Sequence, residues 1–104
     1  MAINNTNTIS TLAGVNINSC YIRLDLRIKE NGCPFIEFRF YKDKASYLAG
    51  DLPINSMLPN NISMVYEGDT PLEDWSKTAI HDLAIADLVA RGMDEAKLAK
   101  IDLV

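Results

Sequence analysis

Apolar residues recur at every second position over residues 20–29. Cys20, Ile22, Leu24, Leu26 and Ile28 alternate with Tyr21, Arg23, Asp25, Arg27 and Lys29. A period of two with one polar face predicts an antiparallel strand. The alternation returns over residues 34–41, with Ile36, Phe38 and Phe40 inward and Phe35, Glu37, Arg39 and Tyr41 outward. Asn31-Gly32 lies between the two runs and signals a hairpin. Facing residues must share a side of the sheet, and a two-residue loop would set Glu37 against Leu26. Two registers remain. One pairs Leu26 with Ile36 through a three-residue loop with Gly32 in the left-handed position. The other pairs Leu26 with Phe38, and sets Arg27 against Glu37 and Asp25 against Arg39. The charge-matched second register is preferred, since like charges facing each other are unfavourable.

Beyond the hairpin, residues 42–50 contain good helix formers and end in Gly50, which predicts one or two helical turns. Residues 52–57 predict a short edge strand, kept off a sheet centre by Pro53. Ile62, Met64 and Tyr66 alternate and predict another strand. Thr70, Pro71 and Glu73 match an N-cap, a first-turn proline and a capping box, with Asp74 adding favourable charge. The helix they open carries Leu72, Trp75, Ala79, Leu83, Ala86 and Ala90 on one stripe, widened by Ile80, and ends at Arg91-Gly92. Met93 to Lys100 reads as a second short helix anchored by Leu98, followed by an apolar tail of Ile101, Leu103 and Val104. Strands first and helices after predict an α+β fold: a small antiparallel sheet built on a β-hairpin, packed by a C-terminal helix plus short helices.

The first nineteen residues are different. Asn4, Asn5, Asn7, Asn16 and Asn18 sit among Thr and Ser, and no charge precedes Arg23. Such residues favour turns and local side-chain bonds. Residues 1–14 therefore read as an arm, either a disordered terminus or an extended segment that pairs with a neighbouring subunit. Residues 15–104 read as a single α+β domain. At 104 residues the whole chain has room for one domain and little room for a deep pocket.

Charge and chemistry narrow the function classes. Lys and Arg number 10 against 14 Asp and Glu, a net charge of −4, which argues against a general phosphate-backbone binder. No run reaches the ~18 apolar residues of a membrane span, and the first residues do not match a secretion signal. His81 is the only histidine and is expected on the solvated side of the helix, with no motif to make it a base. One His and two Cys fall short of a zinc site. Cys20 and Cys33 would lie at opposite ends of the hairpin, about 30 Å apart, far beyond the ~7 Å of a disulfide. Both are expected as free thiols, with Cys20 buried as a small hydrophobe. Glu67, Asp69, Glu73 and Asp74 are acidic but match no calcium loop, and capping accounts for the last two. The chain therefore reads as neither an enzyme nor a holder of metal or cofactor, with no nucleic acid, membrane or small-molecule substrate as its partner.

Apolar surface is what this pattern leaves over. Tyr21, Phe35 and Tyr41 fall on the charged strand face, where aromatic residues suit a protein interface. Leu88 strays from the helix stripe, and Ile9, Leu12, Val15 and Ile17 punctuate the N-terminal segment. These eight are the candidate interface residues.

Three stretches add a resemblance. Leu12-Ala13-Gly14-Val15, Tyr21-Ile22-Arg23, and Phe40-Tyr41-Lys42-Asp43-Lys44-Ala45 through Ala49-Gly50 resemble a family of short proteins from the structural gene modules of tailed bacteriophages and prophages. The resemblance spans about residues 12–90. The helix departs from it, carrying Trp75, Ile80 and Leu83 where the family has an aromatic-rich pattern. It implies a virion or tail-associated component, made in the bacterial cytoplasm, that assembles with itself and with other virion proteins. A small phage-encoded inhibitor or adaptor that binds a host protein is the alternative.

Overall fold

The computed structural model describes residues 1–73 and 75–101. Its centre is the hairpin of β4 (Cys20–Ile28) and β5 (Pro34–Tyr41), whose alternating Ile22, Leu24, Ile36, Phe38 and Phe40 are buried on one face. The register pairs Leu26 with Ile36, so the charge-matched alternative is wrong. The turn decides it. Lys29 N–H donates to Cys33 O at 3.0 Å and Gly32 N–H to Lys29 O at 2.8 Å, with Gly32 at φ +79°. That left-handed conformation is cheap only for glycine, and it fixes a three-residue loop. Arg23 now faces Arg39, and Asp25 faces Glu37. Diagonal contacts offset these like-charge pairs: Arg39 lies 3.3 Å from Asp25, and Arg27 lies 3.9 Å from Glu37. Each direct pair is worth only ~0.2–1 kcal/mol, too little to override the turn.

The N-terminal segment is part of this sheet. β1 (Ala2–Asn5) lies between β4 and β7 (Leu98–Ile101), antiparallel to both, and β6 (Tyr66–Glu67) completes the order β6-β5-β4-β1-β7. Ala2, Ile3 and Asn5 are fully buried. The expectation of an arm over residues 1–14 is therefore corrected, and those residues belong to the domain. The asparagines do the opposite of what an arm needs. Asn5 Oδ1 accepts from the backbone and side-chain amides of Asn7, both at 2.9 Å, and its Nδ2 donates to Cys20 Sγ at 3.3 Å. Asn7 then exchanges two bonds with the backbone of Asp94. Polar side chains satisfy buried groups here, as burial requires. Residues 9–17 form a second small hairpin, β2 (Ile9–Ser10) with β3 (Asn16–Ile17).

α1 (Lys44–Leu48) is the short helix expected after β5, capped by Asp43, whose carboxylate accepts from Ser46 N–H at 2.8 Å. The edge strand expected at 52–57 is instead an irregular segment ending in a 3-10 turn, Asn55–Met57. Asn55 replaces it. Its Oδ1 accepts from Phe40 N–H at 2.8 Å and its Nδ2 donates to Phe38 O at 2.7 Å, so one side chain satisfies the β5 edge. The strand expected around residues 62–66 is reduced to β6, because Asn60–Ser63 form the single-turn helix α2.

The long helix, α3 (Lys77–Ala90), starts six residues later than the capping box implied. Ser76 is its N-cap, accepting from Ala79 N–H at 3.2 Å. A cap is worth ~1 kcal/mol, and packing Leu72 and Trp75 against the core as a non-helical lead-in outweighs it. Asp74 lies outside the described residues. The buried face is Ile80, His81, Ala84, Ile85 and Leu88, rotated from the expected stripe, with Ala86 and Ala90 exposed. The second helix expected over residues 93–100 is a 3-10 turn, Glu95–Lys97, that leads into β7. Pairing with β1 buries Leu98 and extends the sheet, which a helix could not do. The expected apolar tail beyond Ile101 lies outside the described residues.

Candidate interaction surface

Of the eight residues expected at an interface, four are buried in the protein's own fold: Ile9, Tyr21, Tyr41 and Leu88. They cannot present a surface, and the expectation for them is corrected. The physical reasons differ. Leu88 and Ile9 belong to the main core, on the α3 side of the sheet. Tyr21 and Tyr41 do lie on the outer sheet face, but α1 folds over that face and sets Tyr47 against both rings, at centroid distances of 5.7 and 5.2 Å. Ala2 and Ile101 join this second, smaller cluster. Ile17 and Phe35 are half-buried.

Leu12 and Val15 remain exposed, at 71% and 64%. They sit on the tip of the β2–β3 hairpin, and the tip is ordered. Thr11 N–H donates to Val15 O at 2.8 Å, Val15 N–H donates to Thr11 Oγ1 at 3.1 Å, and Gly14 closes the turn at φ +82°. Leu12 N–H also donates to Met57 O at 3.0 Å, which docks the tip on the 3-10 turn. Met57 is itself 51% exposed, so three apolar side chains form a fixed patch. Fully burying one such side chain is worth about 1.5–3 kcal/mol, so at these exposures the patch holds about 3–6 kcal/mol for a contact. Leu52 and Leu48 add exposed apolar surface further along the same segment.

A shallow groove runs between α3 and β7. Ile85, Val89 and Leu98 floor it, and an ion pair between Lys100 and Asp82 crosses its rim. The other side of the sheet carries a small polar recess between Arg23, Asp25, Arg39, Tyr41 and Tyr47.

His81 is the largest departure from the sequence reading. It is 0% exposed, not solvated. Nδ1 lies 2.7 Å from Lys77 O in its own helix, and Nε2 lies 3.0 Å from Ala2 O in β1. A doubly protonated ring would donate to both, and a neutral ring to one. The side chain thus ties α3 to the buried first strand. Cys20 and Cys33 are both free and both buried. Burial pushes the Cys20 thiol up, against the smaller downward pull of the Asn5 bond. Among the described residues, no three His, Cys, Asp or Glu side chains gather as a metal site, and no helix is long and apolar enough to cross a membrane.

No family model, curated protein or solved structure matches the chain. Sequence patterning found Leu12 and Val15 but missed Met57, which looked like part of a strand. Tyr47 also went unmarked, because its role depends on where α1 lands.

Proposed function

We propose that this protein is a small structural component of a bacteriophage particle, associated with the tail, the baseplate or the head-tail region, that works by assembling with copies of itself and with other virion proteins. The observation that carries the reading is the patch of Leu12, Val15 and Met57: exposed apolar side chains on a hairpin tip held rigid by backbone bonds. A fixed apolar patch costs little to order on binding, and exposed patches of this kind suit protein contacts. Leu12-Ala13-Gly14-Val15, one of the stretches that resemble the phage family, is that tip.

Native mass spectrometry over a concentration series tests the assembly. Wild type is expected to populate oligomers, and Leu12→Ser with Val15→Ser to shift the population to monomer without changing the far-UV circular dichroism. The protein is also expected in purified particles of a phage that encodes it. A chain that stays monomeric at every concentration and is missing from particles refutes the proposal. Absence from particles together with a defined complex with one host protein would favour the inhibitor reading.

A further inference from the structure

Asn31-Gly32 forms the hairpin turn, and the pair also carries a reaction of its own. The backbone nitrogen that follows an asparagine can attack the side-chain amide. Glycine in that place makes the attack easiest, because no Cβ hinders the approach and the backbone turns freely. The Gly32 nitrogen gives up its proton to solvent base and bonds to Asn31 Cγ. The Cγ–Nδ2 bond breaks, and Nδ2 leaves as ammonia with a proton from water. A second step adds water to one of the two carbonyls of the five-membered imide and gives aspartate or isoaspartate. Water goes in and ammonia comes out, with no oxidant or reductant. Asn31 is exposed, so water and base reach it.

The folded turn opposes the first step. The Gly32 N–H that must be lost donates to Lys29 O at 2.8 Å. The Asn31 carboxamide that must swing onto that nitrogen is held by Cys33, whose N–H donates to Asn31 Oδ1 at 3.1 Å. Lys29 N–H closes the loop around both by donating to Cys33 O at 3.0 Å. Reaction requires these bonds to break first. Local openings of this kind precede slow chemistry, and the rate then follows the population of the open form. We propose that Asn31 is a self-modification site with water as its co-reactant, held in check by the folded turn and released when the hairpin end opens. The isoaspartate product matters for the fold. It routes the main chain through the side-chain carbon and lengthens the loop by one backbone atom. The Gly32–Lys29 and Lys29–Cys33 bonds then no longer close together, and those bonds select the register. Refolding does not remove the added atom, so the change runs one way.

The test is peptide mapping by mass spectrometry of the whole chain, aged at one mildly alkaline pH and one temperature, either folded or unfolded in guanidinium chloride. Asn31 is expected to convert faster than any other asparagine in the unfolded chain, and at least tenfold more slowly in the folded one. A ratio below tenfold overturns the protection by the turn. Conversion in denaturant no faster at Asn31 than at the other asparagines overturns the site. Isoaspartate chains, separated from aspartate chains by chromatography, are expected to unfold at lower denaturant than wild type. Asn31→Asp adds the same charge without the extra atom and keeps an acceptor for Cys33 N–H, so its midpoint is expected to match wild type. An isoaspartate midpoint equal to that of Asn31→Asp overturns the lengthened loop as the damage.

Discussion

Replacing His81 with Phe tests whether the buried ring holds the molecule together. Phe is close to His in size, so the change leaves no cavity and isolates the polar contacts. The native ring is fully buried, with Lys77 O at 2.7 Å and Ala2 O at 3.0 Å from its nitrogens. Lys77 O lies in the helix and keeps its place in the helical ladder. Ala2 O keeps its place in the β1–β7 ladder, opposite Ile101, and loses only its side-chain partner. A net hydrogen bond is worth about 0.5–1.5 kcal/mol, so the two contacts together give about 1–3 kcal/mol. Total stabilities of small domains are only about 5–15 kcal/mol, so the loss is appreciable. At a urea dependence of about 1–1.5 kcal/mol per molar for a chain of this size, the midpoint should fall by about 0.7–3 M. Trp75, half-buried, reports unfolding by its fluorescence. Hydrogen exchange adds a local readout: β1 amides should lose protection more than those of β4 and β5, because the lost bond joins α3 to β1. A solvated histidine would tolerate the change within about 0.5 kcal/mol. A variant that stays within that limit, or that loses protection evenly, would refute the tether.

Three further outcomes follow from the same physical reading. Asn55→Ala removes both bonds to the β5 edge and should cost about 1–3 kcal/mol in urea unfolding, with the Phe40 amide exchanging faster than its neighbours. Gly32→Ala forces a side chain to φ +79° and should destabilise by about 1–2 kcal/mol, whereas Gly68, whose φ is not left-handed, should fail for a different reason, since a Cβ there meets Pro34 at 2.6 Å. Stability should fall with rising pH above the ordinary thiol value of 9.0, because the unfolded chain releases the Cys20 proton while the buried native thiol still holds it. That slope should flatten in Cys20→Ala, read from urea midpoints across the alkaline range.

The exposed apolar patch and the arginine-lined recess lie on different parts of the fold. The apolar patch rides on the β2–β3 tip and the 3-10 turn after α1. The arginine recess lies on the outer face of the β4–β5 ladder, under α1. Both depend on the segment from Asp43 to Met57. Ser46 bonds hold the Asp43 carboxyl below its ordinary range, so the cap of α1 is complete at neutral pH and weakens only as acid protonates it. Tyrosine near-UV circular dichroism would follow that loosening through Tyr47.

Two of the three exposed side chains of the patch, Leu12 and Val15, were legible in the chain itself. Leu12 and Val15 stood out as apolar residues in an uncharged, turn-rich stretch, and that local contrast survived folding. Tyr21 and Tyr41 failed because alternation reveals which face a residue occupies, not what later covers that face. Leu88 failed because a helix stripe drawn from Trp75 assumed a helix start at Thr70. Moving the start to Ser76 and packing Ile80 inward rotated the buried face.

Local patterning alone determined the α+β class, the β4–β5 hairpin, α1 and the existence of α3, because period and turn chemistry act over neighbouring residues. Tertiary structure decided the rest. Which of two hairpin registers forms was settled by the left-handed turn at Gly32. A polar N-terminus became an interior strand because β4 and β7 offered two ladders to pair with, and because Asn5, Asn7 and His81 could satisfy what burial left unpaired. Pairing between residues nearly a hundred positions apart leaves no trace in a local window. A lone histidine and a run of asparagines acquire their meaning only from the distant carbonyls and amides they meet.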